Sequence, residues 1–180
     1  MPDETLRGAL RARTAPAHEQ LDHAVGHFSD LATYCHFARN TYRFRHAVEA
    51  AMLAAEPVWP IDPVAHLAAE DLADLRLSRP STTPFPLPLT SEAAQLGVAY
   101  VLEGSGLGAR LLVREAGKLG LTSAFGARHL ARQAADHDRW RRFVALLDST
   151  SAATDAVTAA AEATFRFALS IYAEPAHERA

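Results

Sequence analysis

Apolar residues recur at three- and four-residue intervals along nearly the whole chain, and no stretch alternates apolar and polar with the β-branched enrichment of a strand. That periodicity leaves helices as the regular structure with a face to bury, so the expected fold class is all-α. The 180 residues are 49% hydrophobic and 22% charged, with 8 Phe, 4 Tyr and 2 Trp. This is the size and balance of one globular domain over 1–180, and it excludes disorder for most of the length. A net charge of -3 supplies no overall basic field for a phosphate backbone, so nucleic acid is not an expected partner.

Proline and glycine divide the pattern into elements. Two N-terminal helical pieces are expected at 3–13 and 16–27, separated at Thr14-Ala15-Pro16, with Thr14 as a cap and Pro16 in a first turn. A long helix near 30–55 follows, capped by Ser29 or Asp30, with Leu31, Tyr34, Phe37, Ala38, Tyr42, Val48 and Met52 on its apolar stripe. Pro57 and Pro60 end it, and Asp62-Pro63 restarts the chain as N-cap and first-turn proline of a helix to Leu75. Pro80, Pro84, Pro86 and Pro88 forbid helix over 76–90, which reads as an extended surface arm. A domain linker is the rival reading, disfavoured because each half would be a small domain burying little surface. Further helices are expected from Ser91 to Lys118 and over 122–134, 136–148 and 152–173, with a flexible tail at 174–180.

A single cysteine, Cys35, excludes an internal disulfide framework and fits a reducing compartment, so the expected location is cytoplasmic. Asp3 and Glu4 near the N-terminus do not resemble the basic head of a signal peptide. Glu103 and Arg110 interrupt the longest apolar stretch, so no membrane span is expected.

Two segments carry chemistry. In YVLEGSGLGARLL, residues 100–112, Gly104, Gly106 and Gly108 fall inside a helical pattern, where each costs about 1 kcal/mol relative to alanine. No strand precedes them, which excludes a dinucleotide fingerprint. Two explanations remain: backbone exposed for close approach to a large flat ligand, or close helix–helix packing through small residues. In LRARTAPAHEQLDHAVGH, residues 10–27, His18 lies one helical turn before Asp22 on the same face. A metal-ligating histidine commonly gives its second ring N–H to a carboxylate, which fixes its tautomer. Taken alone, His18 reads more readily as an ordinary surface or partly buried histidine than as a ligand.

TAPAHEQLD at 14–22 and YVLEGSGLG at 100–108 together resemble the two signature segments of the heme oxygenase family, closest to its bacteriophytochrome-associated bacterial branch. Their order, separation and all-helical surroundings match over essentially the whole chain. The resemblance implies heme held between a proximal helix and a kinked, glycine-rich distal helix. His18 matches the axial iron ligand, Asp22 its partner, and Gly104 and Gly108 the glycines lying on the macrocycle. It implies cleavage of heme to biliverdin, CO and ferrous iron with O2. Electrons would come from an external reductase or ferredoxin, and a bacteriophytochrome is a candidate acceptor of the product. An iron that binds O2 needs one protein ligand and one open face, and small residues over that face leave it open. Arg11, Arg141 and, more weakly, His137 are the candidates to meet the heme propionates. Tyr100 is expected at the heme edge. Where mammalian relatives carry a distal aspartate that organises proton-delivering water, this chain has Ser105, with Glu103 two residues earlier.

Other constellations fail on spacing. His23 and His27 have no third ligand. Glu174-Pro175-Ala176-His177 is a lone Glu-x-x-His in the tail, where a di-iron bundle needs two such motifs and two further glutamates. Cys35 shares the core-facing stripe and reads as a buried thiol. A heme or biliverdin delivery protein on the same fold remains an alternative to the enzyme. A cofactor-independent helical relative acting on another ring system, such as a pyrimidine, is a third reading.

Overall fold

Seven helices make up residues 5–174, the part of the chain that the computed structural model describes. They are α1 (Leu6–Val25), α2 (Leu31–Ala54), α3 (Ala65–Asp74), α4 (Glu92–Lys118), α5 (Arg128–Ala135), α6 (Arg139–Ser149) and α7 (Thr154–Tyr172). Among the described residues only isolated bridges at Thr122 depart from helix and loop, so the all-α class holds.

The middle of the molecule is α7, which packs on both α1 and α4. Its small residues Ala160, Ala161 and Ala168 are buried and let its neighbours approach, while Val157, Phe165 and Ile171 fill the core. Successive contacts fix the directions. Arg13 meets Thr158 and Glu162, and His18 meets Phe165. Thr150, four residues ahead of α7, meets Glu92 at the start of α4, and Gly97 meets Ala160. Both α1 and α4 therefore run parallel to α7.

Three boundaries differ from expectation, each because a distant group overrides a local signal. The two N-terminal pieces are one helix with Pro16 inside it. Thr14 does not cap; it is buried and its hydroxyl donates to the Leu10 carbonyl at 2.8 Å. Packing on α7 and α6 holds the helix together across the bond that Pro16 removes. The helix after Asp62-Pro63 starts only at Ala65. Its free amides are satisfied by the buried Glu49 carboxylate of α2, which accepts from Val64 N at 2.9 Å and Ala65 N at 3.0 Å and also pairs with Arg45. Asp62 instead grips Arg132.

The helix expected over 122–134 begins at Arg128, because 122–127 is a turn built on Gly126 with φ +77°. Asp71 of α3 closes that turn by accepting from Arg128 N, His129 N and His129 Nδ1, and Asp74 accepts from Gly126 N.

Elsewhere expectation and structure agree. Asp30, not Ser29, caps α2 through a reciprocal box with Thr33. Leu31 is the one residue of the α2 stripe that faces outward. Residues 76–90 form an extended arm whose Phe85, Leu87 and Leu89 lie on the core. Glu174, assigned to the tail, pairs with Arg43, and 175–180 lie outside the described residues. Among the described residues one helix, α4, is long and apolar enough to cross a bilayer by length and composition, and 44% of its most apolar window is buried inside the bundle.

Candidate functional site

On α1, His18 is exposed, with 59% of its side chain accessible, while its ring edge rests against Phe165 at 5.9 Å between centroids. Its Nδ1 lies 3.0 Å from Asp22 Oδ2, one turn on. This contact occupies Nδ1 and leaves Nε2 as the nitrogen available to a ligand. Phe165 had been indistinguishable in sequence from the rest of the α7 core stripe.

On α4, Gly97, Gly104 and Gly108 are spaced by seven and four residues, which places them within about 40° of one face. Their surroundings differ sharply. A Cβ at Gly97 would lie 2.5 Å from both Ala160 Cβ and the Val157 carbonyl oxygen. At Gly104 the nearest atom would be Trp140 Cζ3 at 3.9 Å, and at Gly108 nothing lies within 4 Å. One face of one helix is thus closed against α7 at its start and open seven to eleven residues later. The packing reading of the glycines holds at Gly97, while Gly104 and Gly108 leave space in which the ligand reading has room. Tyr100, one turn before Gly104, packs against Trp140 with ring centroids 5.7 Å apart and planes tilted by 54°, and is half-buried. Leu111, on the same side, is 56% exposed.

Away from this face α4 packs on α5 and α6. The Ser105 hydroxyl is shared between the Leu102 carbonyl at 2.6 Å and Gln133 Oε1 at 3.1 Å, and Gly106 abuts the Gln133 carbonyl. Glu103, offered by sequence as an acid near the glycines, is unavailable for that role. It is buried, accepts two bonds from Arg139 at 2.7 Å and one from Trp59 Nε1 at 2.8 Å, and so ties α4 to α6 and the 55–64 loop. A cavity of about 30 Å³ beside Gly106, walled by Arg110, Gln133 and Arg139, is far too small for a tetrapyrrole.

The three arginines of the RWRRF stretch separate. Arg139 goes to Glu103, Arg142 to Asp136, and Arg141 to Asp138 at 3.1 Å with 79% of its side chain exposed. Arg110 donates to the His137 carbonyl. Arg11, two turns before His18 and so on its side of α1, is exposed and makes no ion pair among the described residues. His23 and His27 are exposed, and no group of three potential ligands for a metal ion occurs among the described residues. Burial pushes the Cys35 thiol above its ordinary value, against a smaller opposing effect of Arg39, which makes it a poor nucleophile.

Heights along α7 relate the two helices. His18 sits level with Phe165, about five residues beyond the Ala160 that marks Gly97. At 1.5 Å per residue, Gly104 is within about one turn of His18 in height. An accessible imidazole nitrogen and a bare strip of helix, both flanking α7, suit a flat ligand with one coordinating centre and an open opposite face.

No protein-family model matches the chain. A heme oxygenase of Xanthomonas campestris is 42% identical over 94 residues, covering 48% of this chain and 56% of that protein. The heme oxygenase PigA of Pseudomonas aeruginosa is 33% identical over 170 residues, covering 81% of each. Among solved structures, the NO- and CO-bound heme oxygenase from Neisseria meningitidis matches with a TM-score of 0.73 and 26% identity, over 96% of this chain and 94% of the other.

Proposed function

The chain belongs to the heme oxygenase family, and we propose that, as one domain, it opens heme to biliverdin, CO and ferrous iron with His18 as the axial ligand. Bound heme supplies the iron at which O2 is activated and is itself the carbon skeleton oxidised. The chain's own residues bind, orient and shield. His18 presents Nε2 while Asp22 holds Nδ1, an arrangement that fixes the tautomer and raises the basicity of the ligating nitrogen. Gly104 and Gly108 let the macrocycle lie against main chain, and an iron with one strong side-chain ligand keeps its other face free. The observation that carries this reading is the opening of the α4 glycine face over Gly104 and Gly108, with Gly104 within about one turn in height of an accessible imidazole across α7.

Arg11 meets a propionate, since it projects beside His18 with no carboxylate of its own. Tyr100 closes the heme edge against Trp140. Arg141 serves only by exchanging Asp138 for a propionate. Ser105 orders water at the margin of the open face, in hydrogen-bond contact with Gln133. Electrons come from an external reductase or ferredoxin, and a bacteriophytochrome is the candidate acceptor of biliverdin. The location is cytoplasmic, a reading supported by the single cysteine, which leaves no internal disulfide to form.

Hemin added to the purified protein should give a saturable Soret band that decays in air with ascorbate while a red biliverdin band grows. A stable Soret band would instead indicate a carrier, and no saturable shift would refute heme binding. His18→Ala should abolish the axial-histidine signature.

A further inference from the structure

Four hydrogen bonds join Arg13 of α1 to α7. Its Nε and Nη2 lie 3.1 Å from the two carboxylate oxygens of Glu162, a bidentate fork. Its Nη1 lies 2.8 Å from Thr158 Oγ1 and 3.3 Å from Asp155 Oδ1. Thr158 is fully buried, so one arm of the fork reaches into the packed seam between the helices. Among the described residues these are the polar side-chain contacts between α1 and α7; Leu10, Ala17 and Leu21 supply apolar ones. Apolar contact is non-directional and tolerates sliding. A planar fork on a carboxylate fixes both rotation and height.

Register matters here because α1 is a poor guide for its own second half. Pro16, three residues after Arg13 and two before His18, has no N–H, so the Ala12 carbonyl loses its helical partner there. His18 lies just beyond that gap, set against Phe165 at the next level of α7.

We propose that Arg13, through its fork on Glu162 and its bond to Thr158, is a positioning residue for His18. It sets the register of α1 on α7 and with it the height and tilt of the imidazole presented to heme. The proposal rests on the axial role of His18.

The test uses the full chain loaded with hemin. Arg13→Ala, Arg13→Lys and Glu162→Gln are compared by hemin titration, by the ferrous iron–histidine stretching frequency and by melting of the apo-protein. Each is expected to shift the stretching frequency and to weaken hemin binding by about tenfold, the low end for residues that orient a metal ligand. Arg13→Lys keeps the charge but not the fork, so it should shift the frequency with the smallest change in melting. The exchanged pair Arg13→Glu with Glu162→Arg should restore both. An unshifted frequency and unchanged affinity in Arg13→Lys and Glu162→Gln, whatever happens to melting, would overturn the proposal. A His18→Ala protein that keeps the histidine signature would overturn the axial reading instead, independently of the Arg13 result.

Discussion

Alanine placed at Gly97 and at Gly108 should move stability in opposite directions, although both glycines lie on one face of α4. At Gly97 the added methyl would sit 2.5 Å from Ala160 Cβ and the Val157 carbonyl oxygen and 2.8 Å from Ala161 N. Two of those atoms are backbone, so the helices must separate. Overpacking of this kind costs about 1–3 kcal/mol, and the propensity gain of alanine returns about 1 kcal/mol of it. A net loss of up to about 2 kcal/mol lowers the melting temperature by up to about 8 °C in a domain of this size. At Gly108 the methyl meets nothing within 4 Å. The propensity term then stands alone, so apo Gly108→Ala should gain up to about 1 kcal/mol and melt about 2–4 °C higher. The same methyl protrudes where heme is proposed to lie, so hemin affinity should fall as stability rises, the pattern of a residue kept for function. Circular-dichroism melts of the apo-proteins and hemin titrations decide the matter. A destabilised apo Gly108→Ala, or one that binds hemin as tightly as the parent, would refute the open-face argument.

Gly104→Leu should leave the helix intact but abolish the saturable Soret band, because a branched side chain fills the open face and strikes Trp140. Asp71→Asn should cost about 3 kcal/mol in urea unfolding at pH 7, since the fully buried carboxylate accepts from Arg128 N, His129 N and His129 Nδ1. Burial alone would raise the Asp71 pKa, but the bonds from His129 and Arg128 outweigh it and hold the group below its ordinary value. Its stabilising contribution is therefore present above about pH 4 and lost as pH falls through the depressed folded value, so the urea midpoints of parent and Asp71→Asn should converge in that acid range. Glu103→Gln should lower the melting temperature while leaving the pH profile of heme turnover unmoved; a displaced profile would mean that the carboxylate handles a catalytic proton after all.

The elements that sequence revealed were those whose signals are local. Periodicity marks helices, Asp30 and Ser91 mark their starts, and four prolines mark the 76–90 arm. The misplaced boundaries at 14–16, 62–65 and 122–128 share another cause. In two of them a carboxylate from elsewhere in the chain, Glu49 or Asp71, satisfies amides that no neighbouring side chain can reach. In the third, tertiary packing carries a helix over a proline. At the candidate site the residue types were legible and their surroundings were not. His18 and the glycines stood out, but Arg139, Arg141 and Arg142 look alike in RWRRF, and only the fold shows that Glu103 claims the first. Nothing in the periodicity distinguishes Phe165 and Trp140 from the core residues around them.

The same glycines also locate where binding should be felt. Each costs α4 about 1 kcal/mol of helix propensity. Close contact with α7 offsets that cost at Gly97, and contact with Gln133 offsets it at Gly106, but within the protein nothing comparable does so at Gly104 or Gly108. Leu107 and Leu111, 42% and 56% exposed, leave apolar surface uncovered in the same two turns. The stretch from 104 to 112 is therefore the part of α4 that opens most cheaply in the apo-protein, and amide exchange reports such local opening. A ligand that lies on this strip adds stability by mass action, about 2.7 kcal/mol at a hundredfold excess over Kd, and adds it where the contacts are made. Hemin saturation should thus slow exchange over 104–112 by up to about a hundredfold, with a much smaller change around Gly97, which α7 already protects. Protection spread evenly along α4, or centred away from the glycines, would mean that heme rests on some other surface.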